Sequence, residues 1–202
     1  MLDSHEFFTM FRLLVTLSFG LVVATTSVFS RDSLLVGQNV SSITSDRKIQ
    51  VYFSPNGHCE QAIVEELNRA KKTVLVLAYS FTSAPIARAL GEAKDRGVEI
   101  QVILDKSQKR ARYSVINYLQ SHEIPVFIDI PHAIAHNKVM IIDGQDVITG
   151  SYNFTSSAEK RNAENLVIIQ NDPQIASVYT REWHHLNSQS ALAAPNSNLY
   201  PR

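Results

Sequence analysis

His136 and Lys138 put an imidazole and an ammonium two residues apart, at the head of the run His136-Asn137-Lys138-Val139-Met140-Ile141-Ile142-Asp143. A second polar pair at the same spacing, Ser151 and Asn153, follows Gly150. Side chains alternate along an extended chain, so each pair points to one side. A hairpin turning at Asp143-Gly144 brings the two pairs together. Such a cluster suits a phosphate ester. Lysine places charge on the nonbridging oxygens, Ser and Asn donate hydrogen bonds, and Gly150 lets backbone approach closely. Histidine alone among them has an ordinary pKa near neutrality, fit for a nucleophile, base or acid.

Written as H-x-K-x4-D-x6-G-S-x-N, this spacing resembles the signature of the phospholipase D superfamily at all six fixed positions. Chance produces that match on the order of a few times per million chains of this length. The resemblance runs from about Val51 to Trp183. Ala78-Tyr79-Ser80-Phe81-Thr82 and Asn162-Ala163-Glu164-Asn165 look like its small bacterial endonuclease branch, whose chains carry one motif and work as homodimers.

What the resemblance implies can be stated residue by residue. His136 attacks phosphorus to give a phosphohistidine, and His136 of the partner subunit serves as acid and then as base. Lys138 and Asn153 stabilise the developing charge, so neither a metal nor another cofactor is implied. Glu164 orients the histidine ring, Ser151 supports the site, and Asp143 is mainly structural at its turn. Two clusters then require two chains, which makes the dimer catalytic.

Outside the motif, Lys106, Lys109, Arg110 and Arg112 follow a strand end, where open α/β sheets carry their sites. They could track the backbone of a DNA or RNA substrate, or simply face solvent at a helix start. Lys160 and Arg161 beside Glu164 pose the same alternatives. Tyr79, Phe81, Tyr152 and Phe154 are candidates for base stacking, against the commoner fate of strand aromatics as core. His132 is placed to line the entrance. His184 and His185 are adjacent and cannot share a helix face, which argues against a metal site. The single cysteine, Cys59, excludes an internal disulfide and reads as a small buried hydrophobe.

The elements that must position these groups alternate. Strand-like runs occupy Lys48–Ser54, Thr73–Tyr79, Val98–Asp105, Pro125–Ile130, Asn137–Asp143, Gln145–Gly150 and Leu166–Ile169. Between and after them, helical spacing recurs at Ala62-Ile63-Leu67-Ala70, Ile86-Ala89-Leu90-Ala93, Val115-Ile116-Leu119 and Ile175-Val178-Tyr179-Leu186. This alternation predicts an α/β/α layered sandwich with a mixed, mostly parallel sheet. The domain is expected over 48–188, after a polar linker at 31–47 and before a flexible tail at 189–202.

At the N-terminus, Leu13 to Ala24 is a twelve-residue apolar stretch behind Arg12, the length of a signal-peptide core and short of the ~20 residues of a bilayer span. Residues 1–30 therefore read as a signal peptide, and the protein as periplasmic or secreted. A leader kept as an anchor would place it at the membrane. The 202 residues are 45% hydrophobic and 19% charged, which excludes wholesale disorder. Nineteen Lys and Arg balance nineteen Asp and Glu, so polyanion binding must come from a local patch. The functional expectation is a metal-independent phosphodiesterase, a nonspecific endonuclease. The alternatives are a lipid-cleaving or phosphatidyl-transferring enzyme and an inactive nucleic-acid binder. A lipid enzyme should expose an apolar docking surface, and no segment past the leader advertises one.

Overall fold

The computed structural model describes residues 46–194. Its elements run β1 (Lys48–Ser54), α1 (Cys59–Arg69), β2 (Thr73–Ala78), α2 (Ala84–Asp95), β3 (Glu99–Asp105), a 3-10 turn (Lys106–Lys109), α3 (Ile116–Ser121), β4 (Val126–Asp129), β5 (Lys138–Ile142), β6 (Asp146–Gly150), α4 (Ser156–Lys160), β7 (Glu164–Gln170), α5 (Pro173–Gln189) and β8 (Ala191–Leu192). All eight strands join one sheet in the order β1-β7-β6-β5-β2-β3-β4-β8.

Both faces of the central strands are covered, which explains their near-continuous apolar runs. One face of the sheet packs against α1, α2 and α3 through Ile63, Leu67, Ile86, Leu90 and Leu119. The opposite face meets α5, where Ala176, Trp183 and Leu186 pack on Leu77, Ile103, Val139, Ile141 and Val147. Ser83 caps α2 by accepting from Ile86 N at 3.3 Å, with Pro85 in the first turn, where its missing N–H costs nothing.

The α/β sandwich with a mixed sheet is as expected, but the expected parallel majority is not found. Only β2–β3 and β3–β4 are parallel, and the other five pairings are antiparallel. Helical crossovers α2 and α3 impose the parallel pairs. After β4 the chain returns through residues 130–137 without a helix, so β5 docks antiparallel beside β2 and its hairpin extends the sheet in that sense.

The segment from 189 also departs from a loose tail. α5 runs to Gln189, β8 pairs with β4, and Ala193 is buried with its N–H on Val126 O at 2.8 Å. A two-residue strand closes the edge of β4. Residues 195–202, the signal-peptide reading of 1–30 and nearly all of the 31–47 linker lie outside the described residues. Of that linker, Arg47 pairs with buried Asp172 at 2.8 Å.

Candidate active site

The β5–β6 hairpin fixes the first pair of groups. Lys138 opens β5 opposite Ala78 at the end of β2, and it is 6% exposed. Its Nζ donates to His136 O at 2.6 Å and lies 5.1 Å from the centre of the Tyr79 ring. Burial holds its pKa below the usual lysine value, and the negative charge of Glu164 works against that shift. His136 is exposed, just ahead of the strand, with its ring 4.7 Å from that of Tyr79. Tyr79 thus forms a floor under both groups.

Two carboxylates hold the loop that delivers His136. Asp105 and Asp129 end adjacent parallel strands in register. Asp105 accepts from Ser107 N and from Ala135 N, both at 2.8 Å. Burial pushes its pKa up, yet these bonds and the Lys106 charge outweigh it, leaving a net lowering. Asp129 accepts from His132 N at 3.2 Å and contacts its Nδ1 at 2.8 Å. Lys106 Nζ donates to His132 O at 2.7 Å, and Tyr79 N donates to Asn137 O at 2.9 Å. The loop before β5 is therefore tied down at 132, 135 and 137.

The second pair comes from the β6–β7 side. Ser151 N and Tyr152 N donate to Asn165 O at 3.1 and 3.2 Å, while Ser151 Oγ accepts from Asn165 N at 3.1 Å. This approach demands Gly150: its φ is +145°, and a Cβ there would lie 2.3 Å from Asn165 O. Ser151 Oγ donates to Glu164 Oε2 at 2.6 Å, and Asn162 Nδ2 donates to the other oxygen at 3.0 Å. Glu164 thus meets Ser151 and Asn162 directly and Lys138 through its charge, whereas no bond joins it to the His136 ring among the described residues. Asn153 Oδ1 is buried without a hydrogen-bond partner among the described residues. Turning the amide by 180° would present its NH2 at the same point, toward an anion.

Asp143 lies at the far end of β5, at φ +53°. Its carboxylate accepts from Lys71 N (3.0 Å), Lys72 N (2.7 Å) and Thr73 N (3.0 Å), so it fixes strand register and stands apart from the cluster. Lys109 and Arg110, with Lys106, Tyr79 and Asp105, line an open cleft of about 500 Å³. Arg112 is outside that lining, exposed and 5.4 Å from the Tyr113 ring centre. Lys160 and Arg161 are exposed at the end of α4. Of the stacking candidates, Phe81, Tyr152 and Phe154 are fully buried core, and Tyr79 alone faces the cleft. Tyr152 OH instead donates to Glu159 Oε2 at 2.9 Å, which bolts the Ser151–Asn153 turn from beneath.

Two features escape a reading of the sequence. The anchoring role of Asp105 and Asp129 is one, although both strands visibly end in Asp. The other is apolar: Ile130 and Ile134, on the loop beside the cleft, are 47% and 57% exposed. Among the described residues no group of three His, Cys, Asp or Glu side chains converges as a metal site.

The sequence matches the family described as "Cardiolipin synthase, PLD-like domain" over residues 63–187. It belongs to the phospholipase D superfamily. A phospholipase D of Rickettsia typhi is 42% identical over 148 residues, covering 73% of this chain and 72% of that one. A mitochondrial cardiolipin hydrolase of Xenopus tropicalis is 33% identical over 120 residues, or 59% and 57% of the two chains. The crystal structure of Nuc from Salmonella typhimurium, a phospholipase D family member, superposes with a TM-score of 0.71 at 35% identity, over 73% of this chain and 99% of that one. The protein is accordingly a phospholipase D-type hydrolase of phosphodiester bonds.

Proposed function

We propose that this phospholipase D-type enzyme is a metal-independent endonuclease, cleaving DNA or RNA as a homodimer with one composite reaction centre. The observation that carries the reading is the meeting of exposed His136 and buried, cationic Lys138 on the Tyr79 floor, beside a cleft lined by Lys106, Lys109 and Arg110. Such a rim suits a polyanionic backbone more than a single headgroup. The likeness to Nuc supports the same choice.

In this mechanism a ring nitrogen of His136 attacks phosphorus. The P–N bond forms as the P–O bond to the leaving group breaks, and His136 of the partner subunit gives that oxygen its proton. The same partner imidazole then takes a proton from water, whose oxygen displaces the phosphohistidine and regenerates His136. Lys138 supplies fixed positive charge and the Asn153 amide a donor as negative charge grows on the nonbridging oxygens. The charge of Glu164 partly offsets the burial of Lys138 and favours its protonated form, while Ser151 holds Glu164 in place. The two imidazoles must differ in protonation, so their titration belongs to the pair. Residues 1–30 act as an export signal, delivering the enzyme to the periplasm or beyond the cell; a retained leader would tether it to the membrane.

A phospholipid substrate is the second reading, favoured by the exposed Ile130 and Ile134 at the cleft. The purified protein and His136→Ala would be given plasmid DNA, RNA and phosphatidylglycerol vesicles, each with excess chelator. Nucleic acid cleavage that survives the chelator and vanishes in the variant is expected. Lipid turnover alone would transfer the reading to phospholipid. Binding of nucleic acid without cleavage would leave a binder, and loss of all activity on chelation would remove the metal-free route.

A further inference from the structure

At the end of the sheet where β2, β3 and β4 finish and β5 starts, the chemistry changes from strand to strand. Lys138 opens β5 and Tyr79 follows β2. Lys106, Lys109 and Arg110 follow β3, and Ile130 and Ile134 follow β4. The four strands are consecutive in the sheet, so the series spans three strand spacings, about 14 Å. Tyr79 serves both halves of it: its ring lies by His136 and Lys138, and it also lines the cleft. The cleft thus begins where the reaction centre stops. Its cationic side comes from the turn after β3. Its apolar side comes from the loop after β4, whose residues 130–135 include no Lys, Arg, Asp or Glu. Ile134 stands two residues before His136, at most ~7 Å along the backbone. The Lys106 Nζ bond to His132 O, 2.7 Å long, ties the two sides together.

We infer that this cleft is a subsite for the nucleotide next to the cleaved bond, with its unpaired base against Tyr79, Ile130 and Ile134 and its outer phosphate on Lys109 and Arg110. The subsite rests on the nuclease reading above and names which part of the polymer the cleft holds. A volume of about 500 Å³ is ordinary for one small ligand group. A nucleotide joins apolar ring faces to an anion, the two properties that the two sides of the cleft present. Ring faces are common to every base, so such contacts add affinity without choosing sequence. A bilayer is served less well. A membrane-docking face exposes roughly several hundred Å² of contiguous apolar surface, whereas here two isoleucines share one cleft with a row of cations. A base inside a duplex has its faces covered by its neighbours and must first be extruded, at the cost of unstacking. Single strands are therefore favoured over duplex. The loop is pinned at 132, 135 and 137, so the slot is formed before substrate arrives and little affinity is lost to ordering it.

The test uses the full chain and a short end-labelled DNA strand in which a single abasic residue is moved along the sequence. In the wild type, cleavage at the bonds flanking the abasic residue should fall at least about tenfold relative to the intact strand. The duplex of the same sequence should be cut at least about tenfold more slowly than the single strand. In Ile130→Ser and Ile134→Ser the ratio of intact to abasic rates should fall toward one. Ile130 and Ile134 are 47% and 57% exposed, so folding is preserved, and circular dichroism checks this. Lys109→Gln and Arg110→Gln should weaken intact and abasic strands alike and flatten the salt dependence. Val178→Ser, 56% exposed on α5, is the control and should leave the ratio as it is. Nucleic acid cleavage with no abasic effect, or with the same effect in the isoleucine variants, overturns the subsite and leaves the nuclease reading standing. Duplex cut as fast as single strand also overturns it. A lower sedimenting mass in the isoleucine variants would assign the two side chains to a subunit contact and overturn the subsite. Turnover of phosphatidylglycerol vesicles with no cleavage of any nucleic acid overturns the nuclease reading and the subsite together.

Discussion

Gly150→Ala tests how the second half of the site is built. The glycine sits at φ +145°, and an added methyl would stand 2.3 Å from Asn165 O and 3.0 Å from its carbonyl carbon. A carbon needs about 3.3 Å from such an oxygen, so β6 and β7 must part by about 1 Å at this end. That displacement weakens the bonds from Ser151 N and Tyr152 N to Asn165 O, already 3.1 and 3.2 Å long. Backbone strain of about 1–3 kcal/mol joins about 1 kcal/mol of weakened hydrogen bonding, for a loss of roughly 2–4 kcal/mol. In a chain of this size, Tm should fall by about 5–15 °C. A shift of about 1 Å in Ser151 and Asn153 should also slow hydrolysis by roughly 100-fold. Thermal denaturation and single-turnover hydrolysis of bis-p-nitrophenyl phosphate measure the two effects. Gly144→Ala is the control: its φ is +66° but its Cβ would meet nothing within 4 Å, so a loss near 1 kcal/mol with unaltered turnover is expected. Unchanged Tm and rate in Gly150→Ala would refute the close approach as the device that places Ser151.

Lys138→Met removes a charge held where burial disfavours it, so Tm near pH 7 should rise by a few degrees as activity disappears. In the wild type, the lowered pKa means that the folded state binds fewer protons than the unfolded one. Stability should therefore rise with pH from that pKa up to 10.5, and a pH series of denaturant melts with and without Lys138 checks the sign. Glu164→Gln keeps an acceptor for Ser151 but removes the charge that favours protonated Lys138; the alkaline limb of kcat/KM should move to lower pH, and an unmoved limb would disprove the coupling. Tyr152→Phe should cost about 1.5–3 kcal/mol through the lost bond to Glu159 and reduce kcat with it, as read by melts and steady-state rates. Burial pushes the Cys59 thiol up to about 11, so folding protects its proton, and stability should fall as pH climbs from 9 toward 11; rapid labelling of the native thiol at pH 8 would contradict its burial.

The strands were legible because burial writes itself as apolar runs, and β1 begins and ends where the sequence alone places it, at Lys48 and Ser54. Direction was harder to read. A helical crossover advertises a parallel pair, whereas nothing in residues 130–137 marks the return that sets β5 against β2, and the β1–β7 pairing joins residues more than a hundred apart. β8 has only two residues, too few to show a period. Within the site, the spacing of His136 and Lys138 carried its meaning because alternation is local. The partner of Glu164 could not be read that way. Ser151 claims that carboxylate through a contact between strands, and only the fold decides which donor arrives. Asp105 and Asp129 announced themselves only as strand-terminal acids, and their service to the His136 loop depends on register between β3 and β4.

Asp143 and Lys138 sit at opposite ends of one fully enclosed strand, about 17 Å apart by the usual rise per residue. A pleated ribbon transmits position in whole residues: a slip of one would swing the ammonium to the wrong side of the sheet. The acid that grips three amides therefore works like the clamp at the cold end of a tool whose working tip lies elsewhere. Damage at that clamp should look, to an assay, like a lesion of the reaction centre, with every reacting group still present in the chain.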